Sequence, residues 1–344
     1  VRFRPAEGQE INDLPEYERP EQDFDVTISD EVFIQEPFIR ATGRNDGSFI
    51  GGTTVTLRVD GEAVGTENVR FPPNASDATY DFGYSIDAAG DYDVSVALTD
   101  GTTLASGTVT VKPPATVAEL TDPSGDDTGP GGYTYPTSGD FEDGAFDLES
   151  LTVEQTPSLH RFTFEVATLY NAFGSSRGFS PQWFVLWLRD PTADSGSTTS
   201  LDDLGANVDF EDPWQYRIEI SGFSKSAVDA SGATLADADG DAVSLGEAVD
   251  VDAGTVTLSL DREAVDGTDA EDLEVVAMVQ SEDRGSLRPV AEEAEGYVFG
   301  GAKPDAVENA PRIMDLTTPE GVSQSDALAY SADSRATLPF VSLD

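Results

Sequence analysis

Apolar and polar positions begin to alternate at Asp23, with Val26 and Ile28, then Val55, Leu57 and Val59, then Val94, Val96 and Leu98 separated by polar residues. A period of two with one wet face predicts half-buried strands. Asp60-Gly61 follows Val59, and Asp100-Gly101 lies between Leu98 and the run from Leu104 to Val111. Asp-Gly tolerates the positive φ angles of tight hairpin turns, so both pairs predict hairpins. About seven short strands in roughly 90 residues fit an immunoglobulin-like sandwich over residues 23–114. Lys112-Pro113-Pro114 closes it, because proline cannot continue a ladder. Residues 1–22 carry Pro5, Pro15 and Pro20 without periodicity and read as an extended arm.

A second domain is expected over residues 117–344. In the segment from Arg161 to Val166, Phe162 and Phe164 share one face and Arg161, Thr163 and Glu165 the other. The run Gln182-Trp-Phe-Val-Leu-Trp-Leu188 is apolar on both faces, which predicts a central strand covered on each side. Further strands are expected from Tyr216 to Ile220, Val256 to Leu260 and Leu273 to Val279. The fold class is therefore all-β, with a small sandwich followed by a larger one.

Charge changes the picture of the surroundings. With 66 Asp plus Glu against 19 Lys plus Arg, the net charge is -47 among 344 residues. Such self-repulsion calls for concentrated salt, the pattern of a halophile's solvated surface. Basic clusters are missing, which argues against nucleic acid and against an anionic membrane as partners. No cysteine is present, which removes disulfides and thiol chemistry. The chain opens at Val1 and no run approaches the roughly 20 apolar residues of a membrane span, so it reads as a processed or excised exported chain. Asn74-Ala-Ser76 is a glycosylation sequon in a turn-like setting.

Candidate chemistry concentrates in one stretch, Asp122-Pro-Ser-Gly-Asp-Asp-Thr-Gly-Pro-Gly-Gly-Tyr-Thr-Tyr-Pro136. Asp122, Asp126 and Asp127, with Asp140 or Asp147 to complete the shell, can converge their oxygens on one calcium ion; an Asx-rich turn uses the same residues. Asp237, Asp239 and Asp241 imitate an EF-hand loop, but Ala242 stands where glycine is required and Ala248 where the bidentate Glu belongs, so a solvated hairpin is favoured. Tyr133 and Trp214, as loop aromatics, together with Phe173, are candidate sugar-stacking residues, whereas Trp183 and Trp187 read as core. Catalysis has only His160 as an imidazole base, with no nucleophile elbow beside it, and His160 reads as structural. Haem ligation by His160 with Met278 or Met314 lacks any surrounding signature.

The opening stretch, with Phe141, Gly144, Phe146 and Asp147, resembles the start of the glucodextranase C-terminal, DOMON-like domain family. The resemblance continues through Asn171-Ala-Phe-Gly-Ser-Ser-Arg-Gly-Phe-Ser-Pro-Gln182, Tyr297-Val-Phe-Gly-Gly301, Arg312-Ile-Met-Asp-Leu316 and Pro319-Glu-Gly-Val-Ser-Gln324. It departs at Ala172-Phe173, where the family usually reads Pro-Trp. Thr53-Val-Thr-Leu-Arg-Val-Asp-Gly-Glu-Ala-Val64, with the run from Gly90 to Val96, looks like CARDB-type modules of archaeal and bacterial surface proteins. The resemblance implies glycan association; taken with the charge and the aspartate loop, the expectation is a non-catalytic, calcium-supported glycan-binding protein at the cell surface of a halophilic archaeon. Two other readings stay open: a surface-layer or filament subunit joined to copies of itself through the arm, and the accessory tail of an amylolytic enzyme.

Overall fold

A computed structural model of the chain describes residues 22–45, 51–72, 74–201, 204–236, 243 and 245–344. The expected arm at residues 1–22 lies outside these but for Gln22, and the EF-hand-like aspartates at 237, 239 and 241 lie outside them altogether. The chain divides into two compact units between Pro114 and Ala115.

The first unit is built from two sheets. Gln22–Ile28, Ile39–Asn45 and Ala75–Asp81 form one; Glu31–Phe33, Thr103–Lys112, Gly90–Leu98, Gly51–Val59 and Glu62–Phe71 form the other. Val55, Leu57, Val94, Val96, Val109 and Val111 pack in one core with Ile39, Ala41 and Phe82, as the alternating pattern requires. Both Asp-Gly pairs make hairpins, of different kinds. Asp60 and Gly61 both have positive φ, 50° and 82°, as a two-residue primed turn demands. At the second, Gly101 takes φ 92° while Asp100 does not, and the pairing shifts register between Val96 and Ala97. A bulged turn results.

The second unit has three layers. Its middle sheet runs Lys225–Asp229, Tyr216–Ser221, Gln182–Arg189, Glu274–Asp283 and Ser286–Leu287. A five-stranded sheet of Gly246–Asp250, Thr255–Asp261, Leu159–Val166, Leu148–Gln155 and Ala115–Thr121 supplies a second layer, and Ser197–Thr199, Val208–Trp214 and Ala336–Leu338 a third. The strand Gln182–Arg189 explains the layering residue by residue. Phe184, Leu186 and Leu188 join the core shared with Leu151, Phe162, Phe164 and Leu258. Trp183, Val185 and Trp187 join the core shared with Phe210, Trp214 and Leu338. Successive side chains leave a strand on opposite faces, so a strand apolar at every position must be covered twice. Pairing with Glu274–Asp283 keeps the two sets in phase, with Phe184 opposite Val279, Leu186 opposite Ala277 and Leu188 opposite Val275.

The third layer corrects one expectation. Trp214 ends the strand Val208–Trp214 and is 0% exposed, its ring centroid 4.5 Å from that of Trp187. Its Nε1 donates to the Thr199 carbonyl at 3.1 Å, so the indole is satisfied inside the protein and offers no face to a sugar.

Candidate functional site: a carboxylate knot and an aromatic rim

The opening loop begins where Ala115–Thr121 ends, and Asp122 donates its amide to the Glu149 carbonyl at 2.9 Å. Distant segments then fasten the loop. The Gly129 amide donates to the Met314 carbonyl at 2.9 Å, and Thr134 and Gly300 exchange both backbone hydrogen bonds. The Tyr133 hydroxyl donates to the Pro311 carbonyl at 2.9 Å. Gln324, at the start of the short helix Gln324–Ala327, donates through Nε2 to the carbonyls of Asp126 and Gly129 at 2.5 and 3.1 Å. A Cβ at Gly301 would stand 2.0 Å from the Gly132 oxygen, so glycine is required by close approach. Motifs separated by up to two hundred positions are thus parts of one knot.

At its centre lie Asp122, Asp126 and Asp315, whose carboxylate oxygens fall within 4.8 Å of one another. Asp315 is fully buried and accepts from the amides of Leu148 at 2.7 Å and Leu316 at 2.9 Å. Asp122 Oδ2 and Asp126 Oδ1 are shielded from water and meet no donor among the described residues. Burial, then the Asp126 carboxylate, pushes Asp122 up to about 7; burial, then Asp122, pushes Asp315 up to about 10. Three oxygen-only ligands at the mouth of a glycine-rich loop suit a hard cation, which neutralises the repulsion that otherwise demands protons.

Of the other expected ligands, Asp127 and Asp147 border the cluster and carry hydrogen bonds of the loop. Asp127 accepts from the Tyr135 hydroxyl, and Asp147 accepts from the Gly125 amide at 2.9 Å on both oxygens and faces Ser124 Oγ at 3.4 Å. They shape the loop around the cluster. Asp315 is the member of the cluster that sequence reasoning missed; its signal was a lone acid between Ile313, Met314 and Leu316.

Tyr133 must likewise be withdrawn as a sugar contact. It is 4% exposed and lies under Gly129, because its hydroxyl finds a carbonyl only by turning inward. Phe173, by contrast, is 37% exposed and Tyr297 is 50% exposed. Tyr297 donates to Asp140 Oδ2 at 2.6 Å and, with Ser138, holds that carboxyl below the usual range. Edge-on ring contacts run inward from this pair through Phe141 and Phe299 to Tyr135, at centroid distances of 5.8 to 6.3 Å. Tyr135 is the partner of Asp127, so the rim and the knot share one aromatic chain.

The exposed large apolar side chains of this unit, among the described residues, are Phe173, Phe223, Val251 and Tyr297. They occupy one end of the sandwich. Phe173 precedes Gln182–Arg189, and Phe223 follows Tyr216–Ser221, whose Ser221 pairs with Trp183 at that strand's start. Val251 lies before Thr255, which pairs with Glu165 at the end of Leu159–Val166. Tyr297 is tied through its carbonyl to Arg288, whose amide bonds Ser281 opposite Gln182. The loop leading into Gln182–Arg189 is tied to the strand Gly246–Asp250 of the other sheet by Arg177 Nε on Glu247 at 3.0 Å.

His160 stands apart. It is buried, its Nε2 lies 3.0 Å from the Thr268 carbonyl, and burial lowers its pKa to about 4. Asn74 is exposed in a turn with φ 58°.

Residues 117–341 match the family described as the C-terminal, SLH-like binding module of glucodextranase. No curated protein matches the chain. Among solved structures, the CARDB domain of a Pyrococcus furiosus protein in complex with di-metal ions is 16% identical, with a TM-score of 0.20, over 28% of this chain and 97% of that one. The apo β-glucuronidase 3 of Bacteroides uniformis is 9% identical, with a TM-score of 0.17, over 77% of this chain and 24% of that one. A carbohydrate-binding module of the β-sandwich superfamily, described for promiscuous specificity, is 10% identical, with a TM-score of 0.14, over 72% of this chain and 93% of that one. The match spans the carboxylate knot and the aromatic rim together, and by it the chain belongs to the family of C-terminal, SLH-like binding modules of glucodextranase.

Proposed function

We propose that the protein is a non-catalytic, extracellular glycan-binding protein that works in concentrated salt, with the loop-rich end of its second unit as the binding face and calcium as the clasp beneath it. The observation that carries this reading is the gathering of Phe173, Phe223, Val251 and Tyr297 at one end of the sandwich. Large apolar side chains displayed on loops above a rigid scaffold mark an interaction site, and flat rings suit the C–H faces of sugars. Membership of a family of binding modules supports it.

Calcium would be held by Asp122, Asp126 and Asp315, whose clustered oxygens, with Asp122 Oδ2 and Asp126 Oδ1 buried and meeting no donor, fit a hard cation. When bound it supplies charge neutralisation and no reaction. The protein's own groups do the rest: Gln324 grips the loop carbonyls, Asp147 the Gly125 amide, and Tyr135 transmits the loop's position to Phe299. His160, buried and neutral, is a structural residue in this reading. Asn74 would carry glycan on the first unit. The charge of -47 supports a salt-adapted, exported setting.

A glycan array probed in molar sodium chloride with calcium tests the reading. Binding to a subset of glycans is expected. A silent array, with the protein shown folded, would count against it.

A further inference from the structure

Arg288 is 3% exposed, yet it lies directly behind the displayed rings. Its guanidinium carbon stands 4.9 Å from the ring centroid of Phe141, 5.7 Å from Tyr297 and 6.0 Å from Phe173. Its donors are directed into the protein: Nε to Ser281 Oγ at 3.1 Å, Nη1 to the Tyr297 carbonyl at 3.1 Å and Nη2 to the Glu282 carbonyl at 2.6 Å. Asp283 lies 3.6 Å from it. The cation therefore sits behind the rings and turns one donor of each nitrogen to the protein. Phe141 touches both displayed rings at about the same distance, 6.1 Å to Phe173 and 6.0 Å to Tyr297, so the two are anchored on one support. At the edge of this pair, Asp140 uses Oδ2 for Tyr297 and Ser138. Its second carboxylate oxygen is left to accept from a ligand.

We infer that Phe173 and Tyr297, anchored on Phe141 and Arg288, form a subsite for an uncharged pyranose whose hydroxyl donates to Asp140. This deepens the glycan-binding reading and rests on it. A sugar ring offers C–H groups to the aromatic faces and hydroxyl donors to the carboxylate, which matches what the subsite presents. A uronic acid or sulfated sugar would meet the carboxylate of Asp140 while the nearest guanidinium already faces Asp283, so charge disfavours it. Ring stacking is not a Coulomb interaction between ions, so the subsite works in salt that screens ion pairs.

Affinity electrophoresis separates this inference from the reading it rests on. Gels cast with soluble starch, dextran or laminarin, all neutral, or with polygalacturonate, are run in calcium with the wild type and with Phe173→Ala, Tyr297→Ala and Val64→Ala. The expected result is retardation of the wild type by a neutral polysaccharide and not by polygalacturonate. Each of Phe173→Ala and Tyr297→Ala should weaken it about tenfold, and Val64→Ala, at an exposed apolar residue of the first unit, should leave it unchanged. Both substituted side chains are substantially exposed, and unchanged melting temperatures confirm that the variants fold. Wild-type retardation that survives both substitutions, or stronger retardation by polygalacturonate, overturns the subsite and leaves glycan binding standing. A wild type retarded by none of the gels overturns both.

Discussion

The amide of Leu148 donates to Asp315 Oδ2 at 2.7 Å across 167 positions of sequence. The bond joins the start of the strand Leu148–Gln155 to the short strand Asp315–Leu316 and aims a buried carboxylate at Asp122 and Asp126. Three acids held this close repel unless protons or a cation stand between them.

Calcium should therefore stabilise the protein, and the effect should depend on Asp315. At a calcium concentration about a hundredfold above Kd, binding contributes about 3 kcal/mol, or roughly 5–10 °C in melting temperature for a domain of this size. Asp315→Asn should abolish the difference between calcium and chelator in thermal melts. The sign with pH is also set. Asp122 and Asp315 are raised in the metal-free fold, so their contribution is fully present below the unfolded pKa near 3.8 and is lost as pH rises through about 7 and then about 10. In chelator, stability should fall over that range; in calcium, which displaces the protons, the fall should largely vanish.

His160 predicts a separate acid limb. Its folded pKa of about 4 lies below the ordinary 6.5, so its contribution is present above 6.5 and is lost as pH falls towards 4. The loss is on the order of 2–3 kcal/mol. Replacing His160 with Gln, which carries no titrating ring, should flatten that limb in denaturant melts between pH 7 and 4. An unchanged slope would place the acid sensitivity elsewhere.

Gly301→Ala should cost more than 2 kcal/mol, because the new Cβ meets the Gly132 oxygen at 2.0 Å and φ is 96°. Gly285→Ala has a similar φ of 85° but nothing within 4 Å, and should cost about 1 kcal/mol. Urea melts of the two variants check the contrast. Equal losses would mean that backbone conformation alone matters and that the knot is not close-packed there.

Residues with one dominant physical requirement were legible in the sequence. Gln182–Arg189, apolar at nearly every position, had to be central, and Asp60-Gly61 had to turn. Long-range partnership was not legible. Trp214 and Tyr133 look like free loop aromatics, but the bonds that draw them inward end on Thr199 and Pro311, which no local pattern designates. Asp315 joins Asp122 only once the strands have paired. Tyr297 was visible as part of a motif, while its role as a displayed ring depends on Arg288, which reads locally as one more charged residue.

Affinity electrophoresis of the wild type in molar sodium chloride, on gels containing a neutral polysaccharide with calcium or with chelator, tests the central claim most directly: that a cation-held knot supports a glycan-binding end. Clear retardation with calcium and weaker retardation in chelator are expected, because the knot positions the rim through Tyr135, Phe299 and Phe141. Retardation of equal strength in both would contradict the coupling, and no retardation in either would contradict the claim itself.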